Sequence, residues 1–136
     1  DLTLPVLTAK KMKTAQDPRH LRRIKTFKSL FARNFTSQDH FNELSQAVEK
    51  NQEEIDKIIT KSATEWPLDQ ITKTDLAILR LAISELLFQK ETPTKVIIDE
   101  AIEIAKKYGS DSSGSFINGA LASALKFTNR DTKSDK

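Results

Sequence analysis

Few of the 136 residues can do covalent chemistry. Cysteine is absent, which removes thiolate nucleophiles, disulfides and every zinc site built on sulfur ligands. The two histidines, His20 and His40, have no second histidine or cysteine at ligand spacing, so no metal site is expected. Asp99, Glu100 and Glu103 could pose as paired catalytic carboxylates, but acids one turn apart in an amphipathic helix read as its wet face. Asp17 and Asp75 read as helix caps. Gly109, Gly114 and Gly119 fall at helix ends and inside a helix, not in the strand-to-helix loop that cradles a phosphate. These absences predict a protein that is not an enzyme and uses no cofactor and no metal.

What remains is chemistry of recognition. Residues 10–33 carry nine Lys or Arg against one Asp, a local charge of +8, whereas residues 39–103 carry seven basic against fourteen acidic residues, a charge of −7. A concentrated basic stretch on an acidic body suits a polyanion, because each phosphate neutralised by Lys or Arg releases a counterion. A solvated lysine-rich leader would have the same charge. A second candidate surface lies near the turn 109–115, where Tyr108 and Phe116 flank serines and follow Lys106 and Lys107. Aromatic planes beside positive charge are what single-stranded RNA recognition uses, although Phe116 at this spacing also fits a core anchor.

The elements that must position these residues are helical. Three glycines and four prolines among 30% charged residues suit packed helices better than a turn-rich sheet. Asp17 followed by Pro18 opens a helix running to about Ala32, with Leu21, Ile24, Phe27 and Phe31 on one side and Arg19, Arg22, Arg23, Thr26 and Arg33 on another. Thr36 and Ser37 are expected to cap a long second helix carrying Phe41, Leu44, Val48, Ile55, Ile58 and Ile59, ended by the hinge Trp66-Pro67-Leu68. Thr72 and Asp75 form the pattern of a capping box before a segment, 75–88, that is apolar on almost every side and must therefore lie at the centre of the core. A fourth helix spans 96–108, with Gly109 expected in a left-handed C-terminal cap, and Asp111 to Ser113 are expected to cap a fifth that contains Phe116, Ile117, Leu121 and Leu125.

Residues 1–16 are expected to be a disordered basic leader, with Met12 a candidate natural start. Residues 17–127 form one helical RNA-binding domain in this reading, and 128–136 a frayed polar tail. Residues 1–9 lack the basic start and long apolar run of a signal peptide, and no stretch approaches a membrane span of roughly 20 apolar residues, so a soluble cytoplasmic chain with no membrane partner is expected.

Three segments in order, DLAILRLAISELLF (75–88), TPTKVIIDEAIEIAKKYG (92–109) and SSGSFINGAL (112–121), resemble the C-terminal signature of NusB, the family of bacterial transcription antitermination factors. RHLRRIKTFKSLFA (19–32) resembles that family's arginine-rich first helix, so the similarity runs from residue 19 to about 125. The resemblance implies an all-α fold of two small helical bundles packed across each other. It also implies binding to the boxA element of ribosomal RNA leader transcripts together with NusE, a small-subunit ribosomal protein, in a complex that reaches RNA polymerase and suppresses premature termination. Carried over by position, the RNA-contacting residues are Arg19, Arg22 and Arg23, then Lys107, Tyr108, Ser112 and Phe116 around the turn, with Asp75 and Asp111 facing the protein partner. This chain departs from the family's pattern at Ser112, where an acidic residue is usual, at His20 and Leu21 within the arginine run, and in a shortened stretch between Phe31 and Phe41.

Two other readings share these residues. Ribosomal RNA cytosine methyltransferases carry a NusB-like module ahead of the catalytic domain, but this chain, with no cysteine nucleophile or cofactor-binding segment, is not expected to methylate. A purely protein-binding helical adaptor would use the basic arm only for solubility.

Overall fold

The computed structural model describes residues 17–36 and 42–130. The expected leader, Ser37, His40, Phe41 and the last six residues of the expected tail lie outside the described residues. The described residues form six α-helices and no strand: α1 (Pro18–Ala32), α2 (Glu43–Lys50), α3 (Gln52–Ser62), α4 (Lys73–Phe88), α5 (Thr94–Tyr108) and α6 (Ser113–Ala124), with short 3-10 turns at Leu68–Gln70 and Leu125–Phe127. The group α1–α3 and the group α4–α6 pack across each other. None of the described helices is long and apolar enough to cross a membrane.

Local chemistry explains where the helices start. The Asp17 carboxylate accepts from the Arg19 backbone N–H at 2.9 Å, with Pro18 in the first turn, as its sequence predicts. That N–H, followed by the Arg19 guanidinium, holds the Asp17 carboxyl below its ordinary pKa. Thr72 accepts from the Asp75 N–H at 3.2 Å, giving one half of the predicted box. Asn42, not the Thr36–Ser37 pair, caps α2, through a reciprocal box in which Asn42 Oδ1 accepts from Ser45 N–H and Ser45 Oγ from Asn42 N–H.

The expected long second helix is two helices. Asn51 leaves helical geometry at φ −118° and ψ 19°, and its side-chain amide donates to the Ala47 carbonyl at 2.8 Å. An asparagine that offers the backbone such a competing bond is a natural breaking point, and apolar periodicity alone does not register it.

Helix α4 touches all five other helices. From Asp75 to Leu86 every residue except Arg80 is buried, as the all-round apolar segment predicts. Leu79, Ile83 and Leu86 are fully buried, and each such side chain contributes about 1.5–3 kcal/mol on leaving water. Arg80 turns to α3, donating through Nε and Nη2 to the two carboxylate oxygens of Asp56, both at 2.9 Å.

Packing continues beyond the expected end of the domain. Thr128, placed in the frayed tail by its polarity, is fully buried and donates to the Ala124 carbonyl, and Arg130 is 5% exposed. The Arg130 guanidinium donates to the carbonyls of Leu86 (3.0 Å), Gln89 (2.8 Å) and Thr92 (2.7 Å) at the end of α4 and in its following turn, where the Gln89 carbonyl also accepts from the Thr92 N–H and the Leu86 carbonyl lies 3.5 Å from Lys90 Nζ. Replacing Arg130 by Ala should therefore lower stability by about 1–3 kcal/mol in urea unfolding, from the loss of several charge-assisted hydrogen bonds to buried carbonyls. Lys50→Ala, on the exposed end of α2, should stay within about 0.5 kcal/mol of the parent.

Candidate nucleic-acid interface

Helix α1 carries the arginines, and its rotation about its own axis decides which of them meet solvent. Arg19 (side chain 82% exposed) and Arg22 (46%) point outward, with Arg22 only 3.9 Å from the exposed Glu43. Arg33, expected on the same face, pairs with Glu49 of α2. Lys25 and Lys28 are also exposed.

Arg23 does not belong to that solvent face, which corrects the sequence reading. Its side chain is 7% exposed and its Nε donates to both carboxylate oxygens of Glu85 at 3.0 Å, with Nη2 at 2.9 Å. Burial pulls the guanidinium's pKa down, but the Glu85 hydrogen bonds and charge, helped by Glu100 at 3.6 Å, outweigh it and hold it above its ordinary value. His20 is buried beside it, with Nδ1 2.5 Å from Glu100 Oε2. Glu100 is thus no solvated wet-face acid: its side chain is 20% exposed and bridges His20 and Arg23.

The C-terminal end of α5 meets α1 through Tyr108. Its ring lies 5.3 Å from that of Phe27, with Lys28 Nζ and Lys107 Nζ each 5.5 Å from its centre. Two ammonium groups from different helices therefore gather at one half-buried aromatic edge. Lys106 and Lys107 also complement the negative end of the α5 dipole.

The turn from α5 into α6 is tight for a steric reason. Gly109 has φ −93° and ψ −165°, extended and not the left-handed cap expected. Glycine is needed because a Cβ there would lie 2.4 Å from Ser113 Oγ and 2.8 Å from the Ala105 carbonyl oxygen. Ser112 occupies the cap position of α6 without a side-chain cap bond, while the buried Ser113 Oγ accepts from the Ser110 N–H at 2.9 Å; Asp111 is exposed and is not the cap.

Behind this turn a pocket of about 440 Å³ opens between the starts of α4 and α6. Asp75, Ser112 and Phe116, from two separate stretches of sequence, line it together with Trp66, Gln70, Ile71, Thr72, Ser110 and Ser115. Asp75 is 7% exposed, and its buried Oδ1 has no hydrogen-bond partner among the described residues. A carboxylate oxygen left in this state favours a ligand that brings an N–H or O–H donor. Phe116 is half-buried: it packs on the core, as a core anchor does, and its remaining surface lines the pocket. Trp66 was legible only as part of a helix-ending hinge; 49% exposed at the pocket edge, it adds a second aromatic wall.

The family model described as the NusB family matches residues 6–126. The transcription antitermination protein NusB of Clostridium novyi is 40% identical over 105 residues, 76% of this chain and 79% of that one. That of Agathobacter rectalis is 46% identical over 83 residues, 61% of this chain and 63% of its own length. Among solved structures, T. maritima NusB superposes with a TM-score of 0.75 at 33% identity, covering 87% of this chain and 96% of that one. A protein chain in the crystal structure of a plectonemic RNA supercoil superposes at 0.70 with 25% identity, covering 80% and 94%.

The burial difference along α1 has a measurable consequence. Arg23→Ala should lose roughly 3–5 kcal/mol of folding stability, because Glu85 stays buried without its counter-charge. Arg19→Ala and Arg22→Ala should each stay within about 0.5 kcal/mol. Replacing Arg23 by Met and Glu85 by Leu together should recover most of the loss in the same unfolding measurement.

Proposed function

This chain belongs to the NusB family, and from that premise we propose that it is a non-catalytic, RNA-binding transcription antitermination factor. It takes single-stranded boxA-type RNA of ribosomal leader transcripts together with NusE, and reaches the RNA polymerase antitermination complex through them. The observation that carries the proposal is the continuity of two surfaces. The α5–α6 turn joins the Lys28–Tyr108–Lys107 edge, where α5 meets α1, to the pocket walled by Phe116, Ser112 and Asp75.

Each part suits a different part of a single strand. Arg19, Arg22 and the lysines neutralise phosphates, which fixes register and carries no sequence information. Phe116 and Tyr108 offer planes on which an unstacked base lies, and the serine hydroxyls at the turn are donors or acceptors for a base edge. Asp75 and Asp111 carry negative charge beside this surface and supply acceptors for N–H donors of the protein partner. The names of the relatives support the antitermination role, and the protein chain found with an RNA supercoil supports affinity for RNA in this fold.

Titration of a fluorescent boxA-type RNA against the protein, at several salt concentrations with and without NusE, tests the proposal. Affinity should rise when NusE is present. The Arg19→Ala/Arg22→Ala pair should flatten the plot of log affinity against log salt by about 1.4 units, from roughly 0.7 per single-strand phosphate contact. Phe116→Ala should leave that slope alone and cost about 1–3 kcal/mol of binding if the ring carries a base. RNA binding undetectable under all these conditions, with NusE still bound, would instead identify a protein-binding adaptor.

A further inference from the structure

Beside Arg23 lies a cluster that the RNA-binding surface does not use. His20 of α1 faces Glu100 and Glu103, which are one turn apart on the same face of α5. Nδ1 of His20 is 2.5 Å from Glu100 Oε2 and 4.0 Å from Glu103 Oε2, and one ligand atom from each of the three residues falls within 4.8 Å of the other two. Zinc held at roughly 2.0–2.2 Å in tetrahedral geometry separates its ligand atoms by about 3.4 Å, a value inside this range.

The charge balance also favours a cation. Glu85 and Glu100 share one guanidinium, Arg23, which is committed bidentately to Glu85, and Glu103 adds a third carboxylate on the far side of His20. Three carboxylates against one guanidinium leave an excess of two formal negative charges around the imidazole. Among the described residues, the ion-pair partner of Glu103 is His20 and no lysine or arginine. Glu100 is already oriented, with Oε1 toward Arg23 and Oε2 toward His20, in the way an outer guanidinium fixes a metal-ligating carboxylate. Glu103, 54% exposed, leaves the cluster open to water on one side, so a bound ion would complete its shell with solvent.

We propose that His20, Glu100 and Glu103 form a site for a divalent transition-metal ion that staples α1 to α5. The set is one imidazole nitrogen and two carboxylate oxygens, which suits Zn²⁺ and excludes ions that require sulfur. On binding, Nδ1 gives up its hydrogen bond to Glu100 and becomes the ligand, with the ring proton on Nε2. The staple holds the outward arginines of α1 at a fixed distance from the Tyr108 edge, yet the site stands whether or not that surface binds RNA.

Zn²⁺ titration of the intact chain, followed by calorimetry and by thermal unfolding, tests this. One equivalent should bind and raise Tm, and Glu103→Gln, a partly exposed change, should keep the metal-free Tm while weakening Zn²⁺ binding at least about tenfold. His20→Gln should abolish the effect. If His20→Gln fails to fold, the His20 ring resonances of the parent protein replace it and should shift on the first equivalent of Zn²⁺. The proposal is overturned if Zn²⁺ leaves Tm of the parent unchanged, if Glu103→Gln binds Zn²⁺ as tightly as the parent, or if the His20 resonances do not move.

Discussion

One guanidinium and one carboxylate, taken out of water together between α1 and α4, fix the arrangement on which the rest depends. Arg23 and Glu85 are each almost fully buried and joined bidentately. Such a pair adds little net stability over two well-packed apolar side chains, since desolvation offsets most of its attraction. Its effect is on register: turning α1 by one residue would strand a charge on each side. With Arg23 held inward, 3.6 residues per turn leave Arg19 and Arg22 outward and bring Phe27 against the core and Tyr108.

Helix α4 gives that pair its low-dielectric surroundings and at the same time builds the pocket at its other end. Asp75 in its first turn lines the pocket and Glu85 near its last turn holds α1, so the distance between the two surfaces is set by the length of one rigid helix. Arg130 secures the far end by satisfying the carbonyls of Leu86 and Gln89. The recognition surface therefore rests on the most buried element of the chain, and its loop-borne part is limited to the α5–α6 turn. There Gly109 lets α6 approach α5 closely enough for Ser113 to sit where a Cβ would otherwise intrude.

Helix α1 and the first turns after α5 come from opposite ends of the chain, and both meet at residues whose partners are distant in sequence. Arg23 lies 62 residues from Glu85, and His20 lies 80 from Glu100. A basic residue near the N-terminus is thus either a solvent group or an internal one according to what another helix presents: Arg23 lies one turn before Phe27 on the flank of the apolar face, and Glu85 is what draws its charge inside.

The sequence by itself determined what depends on near neighbours. The Asp17-Pro18 start, the Thr72 cap, the all-round apolar 75–88 segment and the all-helical class follow from side chains within about one turn of one another, and the signature segments carried the family. The grouping of Asp75, Ser112 and Phe116 was legible only as a resemblance, because nothing in their spacing places them in one pocket. Tertiary structure alone decided the burial of Arg23, the bridging role of Glu100, and the packing of Thr128 and Arg130 under what read as a polar tail. Polar residues look alike in sequence whether water or a buried partner satisfies them. Which of the two does so is fixed only when helices far apart along the chain come together and exclude the water.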